Sequence, residues 1–123
     1  MRTILLIAIG GALGSVLRYL TTLFINKHFQ LYFPYATFVA NILGCFLIGL
    51  FLGLLEKHDV AHPNLKFFLI TGFCGGYTTF STFSSENISL FQANQYGTAF
   101  LYIGLSVVVG LTATWGGLMI SKL

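Results

Sequence analysis

From residue 97 to residue 120 the chain runs without a single charged side chain. A helix rises about 1.5 Å per residue, so about 20 apolar residues cross a bilayer's hydrocarbon core of about 30 Å. Three other segments reach that length: residues 3–24, interrupted only by Arg18; residues 35–55, opened by Pro34; and residues 65–93. Hydrocarbon offers no water to backbone N–H and C=O groups, so segments this long must satisfy them internally as helices. Charged side chains make up 7% of the 123 residues, where a soluble domain carries about 25%. The expectation is an all-α integral membrane protein, a single domain over residues 1–123 with four spans per protomer in a lipid bilayer.

The connections are short: INKHFQLYFP (25–34), EKHDVAHPN (56–64) and QANQYG (92–97). Arg2 followed by an apolar run has the outline of a secretory signal. The run continues through GGALGSVLRYLTTLF without a cleavage site, so it reads as the first span. With both ends on one side, Arg2, Lys57, Lys66 and Lys122 gather there, against Lys27 and a snorkelling Arg18 on the other. This is a modest bias under the positive-inside rule.

Several function classes lose support at once. The net charge of +3 is spread out with no basic cluster, so no nucleic-acid partner is expected. Cys45 and Cys74 lie in apolar segments without metal-ligand spacing and read as packing residues. The histidines fall in the connections, which leaves no Ser–His–Asp arrangement. His58 and His62 are four apart, but Pro63 follows, and they read as solvated loop residues. A proton-coupled exporter needs a carboxylate inside the membrane, and the spans offer only Glu86, late in the third. A non-transporting assembly subunit would explain glycine-rich helix faces but not polar ones.

The stretch TGFCGGYTTFSTFSSE (71–86) is polar and glycine-rich where a membrane helix should be. Each mid-helix glycine costs about 1 kcal/mol against alanine. Thr78, Thr79, Ser81 and Thr82 compete with the helix for backbone groups. An interrupted third helix follows, facing protein and not lipid. It is either a packing kink or an ion site, where freed carbonyls take a cation and the next helix N-terminus favours an anion. If helix resumes near Thr79, then Phe80, Phe83, Ser84 and Asn87 share one face. Phenylalanine rings have positive edges, so rings beside hydroxyls favour an anion without a full charge; alternatively the rings only pack. Weak, multi-site binding is what conduction requires. In the second span Thr37, Asn41, Gly44 and Ile48 share a face, and Asn41 is either a pore donor or helix-to-helix glue. The first span carries a Gly10–Gly14 small-residue face and Arg18. The fourth carries Ser106, Gly110, Thr114 and Gly117.

GGALGSVLRY, FPYATFVANILGCFLIG and TGFCGGYTTFSTFSSE, in this order, resemble the CrcB/Fluc family of bacterial fluoride channels. The similarity covers almost the whole chain. It implies an antiparallel, dual-topology homodimer in the bacterial plasma (inner) membrane, with two fluoride pores and no enzymatic activity. It implies a structural Na⁺ at the dimer centre, held by the backbone carbonyls of Gly75 and Thr78. Phe80 and Phe83 would present ring edges to fluoride, and Asn41 a donor. Ser81, Ser84 and Thr114 would belong to a polar track, and Arg18 to a vestibule. The implied role is passive fluoride export that lowers cytoplasmic toxicity under acid stress.

Overall fold

A computed structural model describes residues 1–29, 33–58 and 62–123; the middles of the first two connections lie outside this set. Among the described residues every regular element is helical. Three helices are long and apolar enough to cross a membrane: α1 (Arg2–His28), α2 (Tyr35–Lys57) and α6 (Tyr96–Ser121). α1 runs four residues past the expected end of its span, taking Lys27 and His28 into its last turn. Cations there complement the carbonyl end of a helix dipole, and Lys57 does the same for α2.

Between α2 and α6 the helix changes character several times. α3 (Pro63–Lys66) begins with proline at its first position, where no N–H is needed. It widens without a gap into a π-helix, π1 (Phe67–Cys74), and returns to α geometry in α4 (Gly75–Tyr77). Thr78 (φ −87°, ψ 158°) and Thr79 (φ −151°, ψ 119°) are extended. Helix resumes as α5 (Phe80–Gln92), capped by the Thr79 side chain, which accepts from the Thr82 N–H. α5 turns into α6 through Ala93, Asn94 and Gln95, with Asn94 at φ 61°. Asparagine tolerates that left-handed conformation better than other side chains.

The helices pair by close backbone approach. A Cβ on Gly10 would strike the Phe68 carbonyl and one on Gly14 the Phe73 carbonyl, so α1 lies against π1 and α4 with the chains running in the same direction. α2 lies against α6 in the same way: Gly49 faces the Thr114 carbonyl, and Gly117 faces that of Phe46. At the α5–α6 end Leu90, Ala99 and Tyr102 form a buried cluster, with Phe33, Phe38, Phe83 and Phe91 packed around it. Elsewhere the large apolar side chains point outward, among them Ile9, Leu13, Val16 and Leu20 of α1 and Val108, Leu111 and Trp115 of α6. That is the surface a lipid solvent asks for.

Candidate functional site

Extended backbone at Thr78–Thr79 displaces hydrogen bonds that an unbroken helix would make. In a helix the Thr79 N–H would close on the Gly75 carbonyl. Here it donates to Asn41 Oδ1 at 2.7 Å, and Asn41 Nδ2 donates back to the Thr79 carbonyl at 3.1 Å. The Thr82 N–H, which would close on the Thr78 carbonyl, donates instead to Thr79 Oγ1 at 3.2 Å. Gly75 and Thr78 thus each keep a carbonyl free of its helical donor. The Gly76 carbonyl is taken instead by Arg18 Nε, which donates to it at 3.2 Å. Thr21 Oγ1 and the Tyr77 hydroxyl, 2.9 Å apart, pin the preceding turn to α1.

Two cavities meet at this point. The larger, about 400 Å³, is walled by Asn41, Gly75, Thr78, Phe80, Phe83 and Ser106 together with apolar neighbours. No lining residue carries a full charge. Phe80 and Phe83 lie with ring centroids 5.7 Å apart and planes tilted 41°. Phe83 is held by an edge contact to Tyr102 at 4.9 Å, whereas Phe80 is 79% exposed. Ser106 Oγ is buried without a hydrogen-bond partner among the described residues. The smaller cavity, about 240 Å³, is polar and lined by Arg18, Thr22, Asn26, Thr37, Thr82 and Glu86. Thr79 lines both.

The structure therefore brings Asn41, Gly75, Thr78, Phe80 and Phe83 to one cavity and sets Arg18 in the adjoining one. It does not bring Ser81, Ser84 or Thr114 to either. Ser81 and Ser84 are exposed, and the Thr114 hydroxyl donates to the Gly110 carbonyl within its own helix at 3.1 Å. Sequence reasoning missed a three-residue group beside them. Thr37 Oγ1 donates to Glu86 Oε2 and the Tyr102 hydroxyl to Glu86 Oε1, each at 2.9 Å, and Tyr102 is fully buried. A faint signal existed, since Thr37 sits one turn before Asn41 and Tyr102 one turn before Ser106.

No group of three or more His, Cys, Asp or Glu side chains that could hold a metal occurs among the described residues. The oxygens released at the break are the backbone carbonyls of Gly75 and Thr78, which suit a hard cation. The donors in the larger cavity are amide and hydroxyl groups, which suit a small anion.

The family model described as CrcB-like protein, Camphor Resistance (CrcB), matches residues 5–118. A protein of Flavobacterium psychrophilum named fluoride-specific ion channel FluC is 70% identical over 99% of this chain and 98% of its own length. Proteins of the same name from Azobacteroides pseudotrichonymphae and Acidobacterium capsulatum are each 45% identical, over 99% and 94% of this chain and 98% and 93% of their own. A match over nearly the whole chain establishes that the chain belongs to the CrcB family.

Proposed function

We propose that this multi-pass membrane protein is a fluoride-selective passive channel. It moves an ion without making or breaking a covalent bond, so it is a transporter and not an enzyme. The observation that carries the reading is the larger cavity: two phenylalanine rings, an amide, hydroxyls and no full charge. A lysine there would hold a small anion too firmly, while weak donors in series let it enter and leave. Names borne by relatives that match nearly the full chain support fluoride as the anion. The direction is export, down the gradient that forms when acid loads the cell with fluoride.

In this reading α3, π1 and α4 together form one half of a broken third span and α5 the other, giving four spans over residues 1–123. Two copies insert antiparallel as a homodimer, and each covers the other's open cavity. The 79% exposure of Phe80 supports this, since a ring meant for an anion path needs a facing wall. Asn41, Phe80 and Phe83 line the path, with Ser81, Ser84 and Thr114 along its polar margin and Arg18 at the vestibule. The residues also fit a structural Na⁺ at the dimer centre. Gly75 and Thr78 would hold it with the carbonyls released by Asn41 and by the Thr79 cap. Bound there, Na⁺ would supply a fixed positive charge where the two copies meet.

The test is efflux from liposomes that contain only this chain, followed with a fluoride electrode and with chloride as comparison. Rapid fluoride release with negligible chloride leak is expected. Folded protein that releases no fluoride would overturn the reading and return the glycine–threonine run to a packing kink.

A further inference from the structure

We propose that Asn41 is a positioning residue for the cation site, because it captures the Thr79 N–H that would otherwise occupy the Gly75 carbonyl. The inference rests on the cation reading above and gives Asn41 a task distinct from donating along the anion path. Its side-chain amide meets the Thr79 backbone as a neighbouring strand would, accepting at 2.7 Å and donating at 3.1 Å. That double contact fits an extended residue, and Thr79 is extended at φ −151°, ψ 119°. At membrane depth lipid offers no acceptor for a backbone N–H, so the group turns to a protein one. With Asn41 removed, the nearest acceptor by chain connectivity is the Gly75 carbonyl, four residues back. Closing that bond carries Thr78 and Thr79 toward helical geometry and takes a lone pair from the carbonyl.

Asn41 is well placed for the task because its own helix is rigidly held. α2 touches the break directly, since a Cβ on Gly44 would collide with the Thr78 side-chain methyl. On its other side α2 is locked to α6 through Gly49 and Gly117. The clamp is therefore set by a scaffold and not by a loop. One N–H of Asn41 Nδ2 is left over after the Thr79 carbonyl is served, and Asn41 lines the larger cavity. A single side chain thus joins the anion path to the cation site.

The experiment is the Na⁺ dependence of thermal unfolding of the full purified protein, with Na⁺ replaced by a large organic cation at constant ionic strength. The readout is the Na⁺ concentration at half-maximal stabilisation. Ordinary loss of packing lowers the unfolding temperature in every salt and leaves that midpoint in place. Asn41→Leu removes both contacts and should weaken the midpoint by about 10- to 100-fold, the range for losing a group that orients a metal ligand. Asn41→Asp keeps the acceptor for the Thr79 N–H, so its midpoint should stay at or below the native one even while fluoride efflux falls. A native protein that ignores Na⁺ removes the cation reading and this inference with it. A native protein that responds, with Asn41→Leu unshifted, overturns the clamp and leaves the cation site standing. If Asn41→Leu fails to fold, Asn41→Asp decides alone: a retained midpoint supports the clamp, and a tenfold weaker one overturns it.

Discussion

Glu86 shows how side chains settle a charge problem inside an apolar protein. Its two carboxylate oxygens each accept one hydroxyl, from Thr37 and from Tyr102. Donors to a carboxylate are worth about 1.5–3 kcal/mol each when they serve its charged form. Tyr102→Phe should therefore cost about 1.5–3 kcal/mol in detergent unfolding, and the cost should shrink in a Glu86→Gln background. A double-mutant cycle measures that difference, and additivity would show that the contact contributes no coupling. The phenylalanines pose the opposite test. Phe80→Ile and Phe83→Ile keep an apolar side chain but remove the ring edge. Fluoride efflux should fall at least about tenfold if each edge stabilises the anion by about 1.4 kcal/mol at the barrier, with both variants still folded, although Phe83→Ile also gives up the contact to Tyr102. Unaltered efflux in both variants would make the rings mere packing.

At the scale of elements, close approach decides which glycines matter. Gly117 sits where any Cβ would meet the Phe46 carbonyl, whereas a Cβ on Gly104 or Gly116 would meet nothing within 4 Å. Gly117→Ala should destabilise the α2–α6 pair by about 1–3 kcal/mol, the range for overpacking. Gly104→Ala should be neutral or stabilising by up to about 1 kcal/mol, since alanine is the better helix former. Denaturant melts of the two variants side by side check the contrast. The sequence made part of this legible. The Gly10–Gly14 spacing marks a packing face in α1, and both residues do lie against backbone carbonyls of π1. The apolar lengths of α1, α2 and α6 follow from composition alone, because lipid leaves few alternatives. The π turn of Phe67–Cys74 had no such signal. It lies on the α1 contact, where Gly72 meets the Ile7 carbonyl, and a pattern within one helix does not encode that contact. Glu86 escaped for the same reason, since its partners lie 49 and 16 residues away. Thr114 shares a small, polar face with Ser106, Gly110 and Gly117, and its hydroxyl donates to the carbonyl one turn back, as a helical threonine can.

For the whole molecule the distribution of charge and the pairing of helices bear on insertion. α1 runs alongside π1 and α4, and α2 runs alongside α6, so Arg2, Lys57 and Lys122 collect at one end of the bundle. Lys57 Nζ donates to the Leu123 carbonyl at 3.1 Å, which ties the ends of α2 and α6 together. The other end holds Lys27. Under the positive-inside rule such a bias favours one orientation, while an antiparallel homodimer needs both orientations in one membrane. The two demands are compatible if the bias is small enough to be overridden. Arg18 is pinned to the Gly76 carbonyl and opens on the polar cavity beyond it, which adds charge to the poorer side. Fusions of the C-terminus to a reporter active only outside the cytoplasm and to one active only inside should therefore both give signal. Lys57→Gln with Lys122→Gln should make the Lys27 end the cytoplasmic one and so shift the C-terminal fusions toward the reporter active outside, and Asn94→Lys should reinforce that shift, because lysines near span ends steer insertion. An antiparallel pair loses partners when either orientation becomes rare, so efflux per molecule should fall as the fusions become one-sided. A native protein that reports from one side alone, yet conducts fluoride fully, would exclude the antiparallel dimer.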